Sequence, residues 1–374
     1  MQNIFIEEIE KRDEDVEFVE AKLSGHPDTL CDTLCEKASS ELSKYYLKNF
    51  GAVLHHNVDK GLIVAGKAEP KFGGGRIIEP MKIIIAGRAT TKVGNVIVPV
   101  EKIIKKVIRE HMMQFRYLTD YETIVEVKEG ATNLKEVFKK KVSNDTSFGA
   151  SHYPYSETEE LVLKASKLLE SDKFRKVFNY IGRDIKIMAC RIHEDIELTI
   201  AAAFIDRFVK SMEDYKRLKN NLINFLEKKL GVKVNVNTLD SYEDINSIYL
   251  TVSGLSAEMG DDGQVGRSNR YNGLITPSKP MSLEAISGKN ISHPGKLYQI
   301  VAYILAKRIV QKAKAELAYV KLLSKIGSPL EEPEAIHVQV AGKKYDAEKI
   351  RKIISDLFKN LKEVQKDIIF GKHF

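Results

Sequence analysis

Cysteine is scarce in this chain. Three thiols in 374 residues exclude a disulfide framework and point to a reducing compartment, so a cytoplasmic protein is expected. Cys31 and Cys35 lie one helical turn apart, but no neighbouring pair of Cys or His completes a four-ligand set, and both read as helix core. Proline-rich and glycine/serine-rich linkers are missing, and no repeat period is visible. The first residues lack an arginine-rich segment followed by an apolar stretch and a small-residue cleavage site, so no signal peptide is expected. The most apolar helical stretch, 297–317, is interrupted by Gln299, Lys307, Arg308, Gln311 and Lys312, which fits a core helix and not a membrane span.

The chain is basic, with a formal charge of +7, which raises a nucleic-acid reading. The lysines, however, are spread through amphipathic segments such as 101–110 and 217–229 and interleaved with acids, and no RNA- or DNA-binding module is recognisable. Solvated helix faces and a cationic pocket account for the balance. A hydrophobic fraction of 43% marks a folded protein, and the length allows two or three domains.

Periodicity predicts strands at 62–65, 82–86, 123–128, 185–190, 197–204, 232–236, 247–252 and 337–340. It predicts helices at 29–49, 100–112, 158–169, 209–229, 296–317 and 347–361. Strands come in pairs as often as singly, so the expected class is α+β, with sheets covered on one face by helices.

The run Gly25-His26-Pro27-Asp28 carries the most chemistry. It sets an imidazole and a carboxylate on a turn before an amphipathic helix with small or apolar residues at Leu30, Leu34, Ala38, Leu42 and Tyr45. Asp28 or Thr29 is the expected N-cap. The helix dipole and free N–H groups there favour a polyphosphate and its magnesium. Further polar runs have the same character: 71–76 (Lys-Phe-Gly-Gly-Gly-Arg), 87–90 (Gly-Arg-Ala-Thr), 144–149 (Asn-Asp-Thr-Ser-Phe-Gly), 260–267 (Gly-Asp-Asp-Gly-Gln-Val-Gly-Arg) and 287–290 (Ser-Gly-Lys-Asn). The last is no Walker A loop, since Leu283 stands where its first glycine belongs. The 260–267 loop lacks the further acidic ligands of an EF-hand, and its glycines permit close approach to phosphate. His55 and His56 point to opposite faces of a strand, so one metal would not take both.

With 54–60 (Leu-His-His-Asn-Val-Asp-Lys) and 272–277 (Asn-Gly-Leu-Ile-Thr-Pro), these runs resemble the archaeal-type methionine adenosyltransferases over about 24–333. The resemblance implies three similar domains of mixed or antiparallel sheet about a pseudo-threefold axis. They fall near 1–135, 136–240 and 241–374, with segments exchanged. It implies a homodimer with active sites between subunits and no part for nucleic acid or membrane. The implied reaction is attack of the methionine sulfur on C5′ of ATP, with the triphosphate then cleaved to pyrophosphate and phosphate. His26 would donate to the bridging oxygen, Lys186, Arg267 and Lys289 would stabilise the triphosphate, and Asp28 would ligate Mg2+. Glu101, Gly130, Asn133, Asp145, Asp261, Asp262 and His293 would contact substrate. Asn290, His293 and Gly295 replace Asp, Lys and Asp of the bacterial branch, which leaves the second magnesium carboxylate unassigned. Arg88 replaces a glutamate that binds a monovalent cation, so little need for K+ is expected. The alternatives are another ATP-dependent kinase or ligase and a basic RNA-binding protein. Their products, or lack of any, separate them.

Overall fold

The computed structural model describes residues 3–11, 14–130, 142–282 and 284–371. The expected α+β class is what it shows: three large sheets, each packed by helices over its own apolar core, and two small two-stranded ones. One sheet runs Ile4–Glu8, Ala335–Ala341, Leu317–Leu323, Phe148–Tyr153. A second runs Lys233–Val236, Asp195–Ile205, Ile181–Ile192, Val16–Lys22. The third runs Tyr121–Glu129, Met81–Ala89, His56–Val64, Gly263–Gln264. In every case the first pair is parallel and the next two are antiparallel.

The chain repeats one motif: a helix, a strand pair, and a second helix. Pro27–Phe50 precedes the pair in the third sheet, Glu157–Glu170 the pair in the second, and Pro294–Lys312 the pair in the first. The edge strand just ahead of each of these helices joins a different sheet. Val16–Lys22 enters the second, Phe148–Tyr153 the first and Gly263–Gln264 the third. Segment exchange is therefore cyclic, and it brings the loops before the helices onto neighbouring units.

Several expectations shift. The helix expected to reach 317 ends at Lys312, because Lys314 takes a positive φ of 58° and the next stretch pairs as Leu317–Leu323. The helix expected from 209 starts at Met212, where Ser211 accepts from the Asp214 amide at 3.2 Å. The strand expected at 247–252 is only Leu250–Thr251, since Asp244 caps a short turn at Ile245–Ser247. Cys31 and Cys35 are buried in the third core, as read. Among the described residues no helix is long and apolar enough to cross a membrane.

Candidate active site

The N-cap of Pro27–Phe50 is His26, not Asp28 or Thr29. Pro27 occupies the first helical position, where its missing N–H costs nothing, and the imidazole Nδ1 accepts from the Asp28 amide at 3.2 Å. A nitrogen that accepts from an N–H carries no proton, so Nε2 holds it. Burial is the largest influence on the ring and lowers its pKa, against the pull of the Asp184 carboxylate. At neutral pH His26 is thus a neutral, oriented N–H donor. Gly25 is required behind it, because a Cβ there would sit 2.4 Å from the Arg183 carbonyl carbon.

Asp28 is buried. Its Oδ1 accepts from the Gln264 amide at 2.9 Å and its Oδ2 from Lys22 Nζ at 2.8 Å. Burial raises its pKa, but those two partners outweigh it and the net shift is downward, so the group is ionised. Lys186 lies opposite Lys22 in the strand register and 3.5 Å from Glu20, which both lysines share. Arg267 offers its carbonyl to Lys22 at 2.7 Å, and its guanidinium is exposed. Asp261 Oδ2 lies 2.9 Å from Ser256 Oγ, the hydroxyl that donates to buried Asp184. His26, Asp28, Lys186, Arg267 and Asp261 therefore share one region. Asp262 instead tethers the Ala65 amide at 2.8 Å.

A second cluster surrounds Lys289, in a cavity of about 690 Å³ lined by Asp59, Arg88, Asp145, Glu284 and His293 among others. Lys289 Nζ lies 3.3 Å from Asp59 and 3.6 Å from Glu284. His293 repeats the His26 device: it caps Pro294–Lys312, its Nδ1 accepts from the Gly295 amide at 3.1 Å, and its Nε2 faces Asp145 at 3.4 Å. That contact is the main cause lowering the Asp145 pKa. Buried groups hold the loop. Glu36 accepts from the Gly288 amide at 3.1 Å, while Lys296 and Ser39 donate to the Lys289 carbonyl at 3.0 and 2.9 Å. Gly288 has φ 74°, and a Cβ there would lie 2.4 Å from the Val58 carbonyl oxygen. The two clusters share the Pro27–Phe50 helix: Asp28 opens it and Glu36 lies eight residues on, roughly 12 Å along the axis.

A profile of the family described as S-adenosylmethionine synthetase (AdoMet synthetase) matches residues 2–372. The chain belongs to the S-adenosylmethionine synthetase family. The S-adenosylmethionine synthase of Archaeoglobus fulgidus is 45% identical, covering 100% of this chain and 99% of that protein. The probable S-adenosylmethionine synthase of Aquifex aeolicus is 43% identical over 89% of this chain and 88% of its own. The S-adenosylmethionine synthase of Methanocaldococcus jannaschii is 40% identical over 98% and 97%. Membership makes the chain a transferase.

The other residues expected in the site of this family member are scattered. Glu101 sits on the exposed face of the Val100–Met112 helix and pairs with Lys105 at 2.6 Å, an i,i+4 surface pair joined to neither cluster. Gly130 abuts His55, whose Nδ1 would lie 2.7 Å from an added Cβ. Asn133 lies outside the described residues. The 71–76 run is not an open phosphate cradle here: the Gly75 and Lys71 amides donate to Asp206 Oδ2 at 2.6 and 3.2 Å. Asn290 is a buried strut that donates to the Leu54 carbonyl at 3.0 Å. His56 is buried and hydrogen-bonded at its strand start, and burial pushes its pKa down to about 3. Sequence reasoning passed over Lys22, Asp59, Asp184, Glu36 and Lys296. Asp59 lay inside the 54–60 run, and Asp184 stood just ahead of the strand expected at 185–190, whereas Lys22, Glu36 and Lys296 look like ordinary helix and strand residues.

Proposed function

We propose that the His26 and Lys289 clusters act together as a methionine adenosyltransferase centre, joining the sulfur of L-methionine to C5′ of ATP and cleaving the released triphosphate to pyrophosphate and phosphate. The observation that carries this reading is His26. Its neutral Nε2–H donor is fixed by a backbone bond and flanked by Asp28, Lys186 and Arg267, which suits a leaving oxygen that gains charge. The nucleophile belongs to the substrate, so the protein needs alignment and charge stabilisation and no Ser or Cys nucleophile. The kinase, ligase and RNA-binding readings gain nothing from a family match spanning 2–372.

The family uses ATP and a divalent metal. Among the described residues no group of three or more His, Cys, Asp or Glu is placed to hold an ion. Magnesium carried by phosphates needs only one or two protein carboxylates. Asp28 fits that demand, since an amide and an ammonium leave lone pairs on its oxygens. Bound there, magnesium would neutralise phosphate charge. Asp145, which His293 faces, is assigned to methionine together with Glu101, although Glu101 joins neither cluster within its own subunit; Asp261 is assigned to nucleotide or methionine, Gly130 and Asn133 to nucleotide, and Asp262 and His293 complete the proposed substrate contacts. Arg88, whose Nη1 donates to the Glu129 carbonyl at 3.4 Å, lines the Lys289 cavity and supplies fixed positive charge in place of K+.

We assign the active assembly as a homodimer whose two clusters face each other across subunits. Support comes from the outward row Leu62, Ile84, Ile124 on the third sheet and from Phe18 and Val16 on the second, apolar side chains that leave two sheet faces without an apolar cover. Three units near 1–135, 136–240 and 241–374 fit one strand pair in each. A cytoplasmic setting and the absence of a nucleic-acid role remain part of the reading, helped by pairs such as Lys106–Glu110 and Arg217–Asp214 that balance the basic helices. The test is incubation with ATP, Mg2+ and methionine followed by mass spectrometry. An adenosyl–methionine product with pyrophosphate and phosphate is expected; ADP or AMP as the product would refute the reading.

A further inference from the structure

Lys22 ends the Val16–Lys22 strand, and it is 9% exposed. Its ammonium donates to Asp28 Oδ2 at 2.8 Å and to the Arg267 carbonyl at 2.7 Å, with Glu20 Oε1 at 3.7 Å. Two carboxylates and a carbonyl, from a strand, a helix start and a loop, converge on one nitrogen. Such an all-oxygen set is what a hard cation takes. We propose that the Lys22 ammonium is a tethered monovalent cation, filling an oxygen cage at the catalytic centre and holding the Arg267 loop against the start of the Pro27–Phe50 helix.

The surroundings favour this over an ordinary ion pair. An ion pair needs one acceptor, and here another is a backbone carbonyl of the segment that presents Arg267. The same segment is fastened to Lys22 by a further pair of bonds: Asn269 Oδ1 accepts from the Lys22 amide at 2.9 Å and Asn269 Nδ2 donates to the Lys22 carbonyl at 2.8 Å. Lys186 does not duplicate the role. It reaches only Glu20, at 3.5 Å, and its side chain is 42% exposed. Without Lys22, Glu20 would keep only Lys186, and Asp28 would face a triphosphate without its ammonium partner. Lys22 thus acts as a positioning residue, through Asp28 and Arg267.

An untethered ion should replace a tethered one. Lys22→Ala is compared with wild type in tetramethylammonium, potassium and ammonium chlorides at equal ionic strength. The variant should melt several degrees lower than wild type in tetramethylammonium, and about 100 mM potassium or ammonium should raise its Tm while leaving wild type unmoved. Its KM for ATP, increased at least roughly tenfold, should return toward wild type in a saturable way with the same ions. Equal melting and equal KM in all three salts would overturn the proposal. If the alanine variant fails to fold in every salt, Lys22→Gln is measured in the same way, and salt-independent behaviour overturns the proposal there too. The KM arm rests on the adenosyltransferase reading. The melting arm does not, so an inactive wild type would discredit that reading and still leave Lys22 judged.

Discussion

Replacing Lys296 with methionine asks what a buried ion pair contributes to the loop that presents Lys289. Lys296 is 1% exposed, and its ammonium donates to both Glu36 oxygens at 2.6 and 2.7 Å. Methionine fills much the same space without charge and leaves the Glu36 carboxylate in a dry site. Removing one member of a buried pair costs about 3–5 kcal/mol. At about 1–2 °C per kcal/mol for a chain of this length, that is a fall in Tm of roughly 3–10 °C. The double variant E36L/K296M removes the stranded charge as well and should recover most of the loss, because well-packed apolar residues replace buried pairs at little cost. Burial already holds the Glu36 carboxyl above its usual 4.5, with Lys296 pulling it back, and losing Lys296 lifts it further. The unfolded chain gives up that proton near 4.5 while the folded variant keeps it, so the unfolded state binds fewer protons and stability falls as pH rises through the window. The gap between K296M and wild type should therefore be smallest near pH 5 and widest above neutrality. Calorimetric melts of the three proteins at both ends of that range test this. A single variant melting within a degree of wild type, or a double variant as unstable as the single, would refute the reasoning.

Lys289→Met and Arg267→Leu should each lower adenosyl transfer by at least roughly a hundredfold while the protein still folds, since each removes a charge facing the leaving group; wild-type turnover by either folded variant excludes that residue. Asp28→Asn leaves the His26 cap intact and can keep the Gln264 contact, so it should reduce activity and magnesium dependence together without loss of helix. Superimposable magnesium titrations would count against Asp28 as a ligand. Initial rates at constant ionic strength should be nearly unchanged when potassium is exchanged for tetramethylammonium, because the Arg88 guanidinium never dissociates. A severalfold fall would show that a cation site persists.

The sequence revealed the His26 turn, the helices and the strands in the middle of the chain, because these follow local periodicity and local capping. It hid the edge strands Ile4–Glu8, Val16–Lys22 and Phe148–Tyr153, whose partners lie far away in sequence, and it ran the preceding helix into the interior strand Leu317–Leu323. The site divides in the same way. His26, Asp28, Lys289 and His293 belong to short motifs read locally, whereas Lys22 and the Glu36–Lys296 pair gain meaning only once a strand, a helix and a loop are brought together. The Lys71–Arg76 glycines misled for the same reason, since Asp206, which takes up their amides, is 131 residues from Gly75.

The Ile4–Glu8 strand pairs with Ala335–Ala341, and the Asn3 side chain donates to the Glu334 carbonyl 331 residues away. During synthesis at about 5–20 residues per second, the start of the chain must wait roughly 15–65 s before its partner strand leaves the ribosome. Until then the Ile4–Glu8 strand has no strand beside it, and the apolar face of Ile4 and Ile6 stays open to chaperones and to other nascent chains. Folding of this unit therefore waits for nearly the whole span from Ile4 to Ala341, and its yield should depend on elongation rate and temperature more steeply than that of the other two.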